Sequence, residues 1–479
     1  MNFGWRMFVT CAMFVVGAAA SFAQKDSVDA WVKAHEAEAW DVASQIWKWA
    51  EPGFQETKSA ALLADTLARA GFEIEMGVGN MPTAFIATVG EGKPIIGIMG
   101  EFDALPGLSQ NPVPHKEPFP DNSYGHACGH HLFGTASAFA AMAVAEQIRS
   151  GNMPGTVRFY GTPAEEGGHG KTYMVRDGFF DDCDAVLHWH PGGRHAVGDA
   201  TNLAVIGVKF RFYGKSAHAA GAPEQARSAL DAVELTNHAT QLMREHTPEE
   251  SRIHHVITAG GTAPNIVPDF AEVFYYVRNP DPDILRSLYV RLLKCAEAGA
   301  LATETRLEIE SLGGTYPILP NEALTAITKA NFEALLDLEY TEEEHNFVEA
   351  MQKTIEKPRE LKSIAEIHDG TGETNKGSSD VGDVSWVAPT TGFRAMCWAP
   401  GTPAHSWQAT AAGGASIGRK GMVLATRILA ATAWDLAHSP ETLEAAKAEF
   451  DNHLSGKEFR VLLDPGQQPP LNYRDPPKR

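Results

Sequence analysis

Apolar residues recur at the i, i+3, i+4 spacing of a one-sided helix over Asp41–Ala50 and Lys58–Ala70, and Gly71 is placed to stop the second. The pattern then closes up. Pro94–Met99 (PIIGIM) is a short unbroken apolar run, which suits a strand buried on both faces. Leu132–Ile148 is Ala-rich and predicts a helix, while Thr156–Tyr160 and Ala185–His190 predict strands. Strands alternating with helices imply an α/β layered domain around a mostly parallel sheet.

From residue 203 the period shortens. Leu203–Tyr213 alternates over its whole length, and Ala229–Met243 is helical. Ile253–Ala259 and Ala271–Val277 alternate again, Ile284–Ala300 is helical, and Thr305–Glu310 is a last alternating strand. This β-α-β-β-α-β order is that of a split-βαβ, ferredoxin-like unit. The expected organisation is a catalytic domain in two parts, 24–202 and 316–440, with an inserted α+β domain over 203–315. A helix is expected over Met422–Leu436, and the Pro-rich residues 441–479 read as a surface arm.

Composition narrows the class. The chain has 479 residues, 44% of them apolar, which is enough for more than one domain. Arg6, the apolar run Met7–Ala20 and small residues at Ser21 and Ala23 form a targeting segment, with cleavage expected after Ala23. Export to the periplasm or the extracellular space follows from that reading. No other stretch reaches the ~18 consecutive apolar residues of a membrane span. The formal charge of −20 and the lack of a basic cluster argue against nucleic acid or an anionic membrane as partner. They leave room for an anionic substrate in a locally positive pocket. Cys128, Cys183, Cys295 and Cys397 are too few for a disulfide framework, although a Cys183–Cys397 bridge is compatible with export.

Candidate chemistry gathers where the predicted strands end, the place α/β sheets put their ligand sites. Glu101 and Asp103 follow the first apolar strand in GIMGEFDALPG. GHACGHH packs Cys128 and His130 between His126 and His131, and a thiolate beside an imidazole suits a borderline metal. GTPAEEGG sets Glu165 beside Glu166; adjacent carboxylates repel unless a cation or a proton separates them. One can ligate metal while its neighbour handles a proton. His188 and His190 lie late in AVLHWHPG, and His405 in GTPAHSW. Read alone, each segment has a plain structural explanation: a turn Asp, a core His, a solvated Glu pair. Their clustering favours a site for two divalent ions.

In this order, GEFDALPG, GHACGHH, GTPAEEGG, AVLHWHPG and GTPAHSW resemble the M20 metallopeptidases, and within them the subfamily D amidohydrolases of the p-aminobenzoyl-glutamate utilization type. SAHAAGAPEQARSALDAVEL, GGTAPNIVPDFAEVFYYVR and SSDVGDVSWVAPT add to the likeness, which spans about Ala30 to Pro440. The resemblance implies a two-domain fold: a catalytic α/β/α domain with a two-metal site and an inserted lid and dimerisation domain. It implies Cys128, His130, Glu166, His188 and His405 as metal ligands, Glu165 as general base and acid, and Asp103 as the acid of the first motif. His218 would stabilise the oxyanion, often in a partner subunit, and Asn265 and Arg278 would hold a substrate carboxylate. Two divalent ions are implied, Zn²⁺ first, with Mn²⁺ or Co²⁺ as alternatives. The implied reaction is amide hydrolysis of an N-acyl or N-aroyl amino acid such as p-aminobenzoyl-glutamate, by a homodimer or a pair with a related subunit. Rival expectations are a deacylase or dipeptidase of other specificity and a non-catalytic periplasmic binding protein. His131 and His169 depart from the family pattern and leave the substrate more open than the chemistry.

Overall fold

The computed structural model describes residues 25–474, so the expected targeting segment lies outside the described residues. Among them, no helix is long and apolar enough to cross a membrane. Free Cys183 and Cys397 replace the bridge entertained above: Cys183 Sγ lies 3.1 Å from the Tyr160 hydroxyl, and Cys397 is fully buried where Gly421 lets a helix approach.

One sheet of eight strands organises the larger layer. Its centre is four adjacent parallel strands, in spatial order Gly155–Gly161, Ile95–Gly100, Ala185–Gly192 and Thr390–Met396. Antiparallel pairs occur toward both ends, at Phe85–Glu91 on one side and His195–Val197 on the other, so the sheet is mixed with a parallel middle. All six residues of Ile95–Gly100 are buried, as its unbroken apolar run requires of a central strand. The Ala-rich helix His130–Arg149 is buried nearly all round, packed between the sheet and the helix Ser416–His438. Gly134 permits that approach, since a Cβ there would lie 2.5 Å from the Glu101 carbonyl oxygen.

A second, four-stranded antiparallel sheet has the order Arg252–Ala259, Phe270–Asn279, Ala204–Tyr213, Arg306–Thr315. The helices Ala229–Arg244 and Pro282–Thr303 cover one face and share a core of their own with Phe210, Phe212, Tyr275 and Leu288. Asp281 caps the second helix through the backbone N–H groups of Asp283 and Ile284, with Pro282 at its first position.

The C-terminal stretch differs from the surface arm expected for it. Pro440–Leu454 is a helix, and the chain then turns back across the molecule. Phe459 packs on Tyr316 and Trp386, Leu462 against the four-stranded domain, and Tyr473 on Phe54. Scattered aromatic and aliphatic residues among the prolines supply this anchorage, and no periodicity announces it.

Candidate active site

Four parallel neighbours necessarily end on the same edge of the sheet, and each of the four delivers chemistry there. Ile95–Gly100 runs into Glu101 and Asp103, Gly155–Gly161 into Glu165 and Glu166, and Ala185–Gly192 carries His188 and His190. Thr390–Met396 leads to the loop of His405, whose backbone N–H donates to the Ala127 carbonyl at 3.0 Å. Between Cys128 and His130, Gly129 turns the chain with φ of 80°, a left-handed conformation suited to glycine. That turn starts the helix at His130.

Asp103 ties two of these segments together. One carboxylate oxygen pairs with His130 Nδ1 at 2.8 Å, and the other accepts the Glu166 backbone N–H at 2.9 Å. An Nδ1 proton given to Asp103 leaves Nε2 of His130 as the ligand atom. That atom lies 3.1 Å from Glu101 Oε2 and 3.9 Å from Glu165 Oε2. Cys128 Sγ is 3.4 Å from His190 Nε2, and the other ring nitrogen of His190 is 2.7 Å from the Pro191 carbonyl. Nε2 of His405 is 3.2 Å from Glu166 Oε1.

These atoms form three overlapping sets within 4.8 Å: Cys128, His130 and His190; Cys128, Glu166 and His405; and Glu101, His130 and Glu165. Glu101 Oε2, His130 Nε2 and Glu166 Oε1 are buried with no hydrogen-bond partner. Buried polar atoms left unpaired are costly, and carboxylates converging on a thiol and imidazoles are a donor set for cations. The electrostatics agree. Burial alone would push His130 down, yet Cys128, Glu101 and Asp103 outweigh it and hold the ring well above its ordinary pKa. The Cys128 and Glu166 side chains beside its ring lift His405 to about 11. Burial, then Glu101 and Glu166, raise Glu165 well above the carboxylate range. The residues present therefore fit a pair of divalent ions.

The structure redistributes some expected roles. His188 stands in no ligand set; its ring sits against Gly392, and burial lowers its pKa to about 3. His190, two residues on, is the histidine of this strand that stands in such a set, with Nε2 3.4 Å from Cys128 Sγ. Both side chains share a face of the strand, and only the pairing of the strand with Thr390–Met396 separates them: His188 lies opposite Gly392 and His190 opposite Arg394. His218 and Asn265 sit together on exposed loops of the smaller domain, away from the cavity lining. Arg278 does line the cavity and donates to Ser378 Oγ at 2.9 Å. His126 and His131 lie behind the site, each with Nε2 3.1 Å from a backbone carbonyl, of Ile46 and Gly413 respectively.

Sequence reasoning missed several residues here. Lys171 is fully buried and pairs with Glu101 Oε1 at 2.7 Å and Asp380 Oδ1 at 2.6 Å. Arg194, Arg394 and Arg474 join Arg278 around a cavity of about 720 Å³ that opens on the cluster. Arg474 reaches it from the C-terminal stretch, and it and Tyr473 both donate to the Glu166 carbonyl. The motif SSD, which ends at Asp380, was the one available signal for the Lys171 partner.

Residues 97–358 match the model of peptidase family M20/M25/M40. One of the p-aminobenzoyl-glutamate hydrolase subunits of Escherichia coli K12 is 40% identical over 440 residues, covering 85% of this chain and 91% of that protein. The chain belongs to the M20 family. It is a hydrolase acting on amide bonds, as the Glu165 and ligand cluster is equipped to be. Solved M20 structures share the fold. An aminobenzoyl-glutamate utilization protein of Klebsiella pneumoniae superposes with a TM-score of 0.61 at 18% identity, over 85% of this chain and 98% of that one. A dinuclear metal-binding peptidase of Bacillus subtilis gives 0.52 at 17% identity, over 84% and 99%.

Proposed function

We propose that this protein hydrolyses the amide bond of N-aroyl or N-acyl amino acids carrying free carboxylate, with p-aminobenzoyl-glutamate as the first candidate. The observation that carries this reading is the cavity: a metal-type cluster with Glu165 at one wall and four arginines around it, in a chain of net charge −20. Arg194 is paired with Glu373 and Arg474 is bound to the Glu166 carbonyl, whereas Arg278 and Arg394 line the cavity with no ion-pair partner among the described residues, which suits a substrate with two carboxylates. The E. coli relative supports the aroyl-glutamate choice.

Cys128, His130, His190, Glu166, His405 and Glu101 would hold two divalent ions, Zn²⁺ first given the thiolate and imidazoles. Bound there, such ions supply Lewis acidity toward the scissile carbonyl and an activated water. The chain's own residues do the rest. Arg278 and Arg394 hold the substrate carboxylates and so fix the carbonyl against the cluster. Glu165, whose Oε2 lies 3.9 Å from His130 Nε2 at the edge of the cluster, takes the proton of the attacking water and returns it to the leaving amine.

Pairing of two lids would bring His218 and Asn265 of the partner subunit to the cavity. Supporting this, Arg252–Ala259 is an edge strand with Val256 55% exposed, an open ladder with an apolar rim. A homodimer and a pair with a related subunit are both compatible. The proposed location remains the periplasm or outside, after cleavage at Ala23.

The test is hydrolysis of p-aminobenzoyl-glutamate, with metal content and a chelator control on the same sample. Glu165→Gln should lose turnover and keep its metal. A fully active Glu165→Gln protein would remove Glu165 from the mechanism, and metal-loaded wild type that leaves this substrate intact would move the search to other N-acyl amino acids.

A further inference from the structure

The turn Ala164–Gly168 holds both the expected base and a metal ligand, and little within the turn itself fixes it. Ala164 has φ of 58° and Gly167 of 105°, both left-handed. Short local bonds close it, from the Gly167 N–H to the Glu165 carbonyl at 2.7 Å and from the Gly168 N–H to the Ala164 carbonyl at 2.9 Å. Everything else that holds it comes from elsewhere in the chain. Glu56 Oε1 accepts the Ala164 N–H at 2.8 Å, and Asp103 accepts the Glu166 N–H. The Glu166 carbonyl points the other way and meets two donors from the last described residues: the Tyr473 hydroxyl at 3.1 Å and the Arg474 guanidinium.

The space for these donors is built in. A Cβ on Gly53 would lie 2.6 Å from the Tyr473 hydroxyl and 2.8 Å from the Ala164 Cβ, so glycine there leaves the slot the phenol fills. Phe54 meets the Tyr473 ring edge-on at 5.8 Å, and the Arg474 guanidinium stacks 4.7 Å above the same ring. The stretch is held along its length as well. Arg176 donates to the Gln467 carbonyl at 2.6 Å, and the Gln467 amide donates to the Ser311 carbonyl at 3.0 Å.

We propose that Tyr473 and Arg474 are positioning residues of the active site: by binding the Glu166 carbonyl they aim Glu165 at the substrate and Glu166 at the metal. This rests on the metal-dependent reading above. Partners that orient a ligand from outside the coordination sphere typically contribute ~10–100-fold in metal affinity or activity.

The test compares wild type with Tyr473→Phe, Arg474→Ala and the double variant in the full chain. Metal affinity is read by competition with a chromogenic chelator, p-aminobenzoyl-glutamate hydrolysis as kcat and KM, and folding as Tm. Tyr473→Phe deletes one hydroxyl and keeps the ring in its slot, so the fold is preserved even if Arg474→Ala loosens the stretch. The expected result is metal held about tenfold more weakly in the double variant. A lower kcat at saturating metal, with KM little changed, accompanies it. Arg474→Lys restores part of both. Wild-type metal affinity in the double variant, with or without a lower Tm, overturns the proposal and leaves the contacts as packing. If wild type binds metal but leaves this substrate intact, the substrate reading fails, and the affinity comparison alone decides the role of Tyr473 and Arg474.

Discussion

Replacing Lys171 by Met isolates the cost of a buried charge network beside the site. The ammonium is fully buried and sits between Glu101 and Asp380, also buried. Burial alone would discharge it, yet Asp380 and Glu101 more than offset that and keep it charged well above the ordinary lysine pKa. Methionine fills the same volume without charge. Asp380 keeps one bond, from the Lys171 backbone N–H at 2.9 Å, while Glu101 Oε1 loses its ion-pair partner. Two buried carboxylates then share one cation fewer, with Glu101 left beside His130 and Asp380 on a single backbone bond. Removing one partner of a buried pair costs about 3–5 kcal/mol, and this cation serves two acids, which places the expectation at the upper end. The assay is urea unfolding of chelator-treated wild type and variant, compared by midpoint at constant slope. The pH dependence has a definite sign. Burial already holds Glu101 above its ordinary pKa against the opposing pull of Lys171, and loss of the ammonium pushes it further up, so the penalty is largest at high pH and shrinks as pH falls and Glu101 takes up a proton. Asp380→Asn should destabilise wild type but recover stability in the Lys171→Met background. A loss below about 1 kcal/mol at pH 8 would refute the reasoning, because a pair that breaks so cheaply is not desolvated.

Two further outcomes are expected. His190→Ala should lower metal affinity sharply while His188→Ala leaves it near wild type, checked by equilibrium dialysis; the reverse order would restore His188 as the ligand. Alkylation of the unfolded protein after export, without reductant, should label all of Cys128, Cys183, Cys295 and Cys397, read by mass, since the described fold bridges none of them.

Much of this architecture is readable from periodicity, because both domains obey simple rules. The unbroken run at Ile95–Gly100 marks a doubly covered strand, whereas the alternation expected over Leu203–Tyr213 does not carry into burial: residues 204–210 are all buried, and only Arg211 and Tyr213 are half-exposed. Cys128, His130, Glu165, Glu166 and His405 are readable for another reason: each lies just past a predicted strand or beside a glycine turn, where side chains of that type have few structural uses. What is not readable depends on long-range placement. His188 and His190 share a face at period two, so only register against Thr390–Met396 distinguishes them. Lys171 is a residue type that is seldom fully buried, and its partner Asp380 lies 209 positions away. Tyr473 and Arg474 lie in a stretch without periodicity, and their target is 307 and 308 residues upstream. His218 and Asn265 are expected at the site by resemblance alone, and in the single chain they lie outside the cavity lining.

The pairing of Ala185–Gly192 with Thr390–Met396 has a consequence for biogenesis. The four-stranded domain is encoded wholly between these two strands, so its local contacts can form while the ribosome is still adding the second of them. The central sheet cannot close until residue 396 is made, and the ligand cluster waits for His405. Domains tend to fold as units in the order they emerge, and long-range pairings come late. The edge that carries the ligand cluster is thus among the last regions to take shape, and a nascent chain stalled before residue 390 would carry a finished four-stranded domain beside a cluster still missing His405.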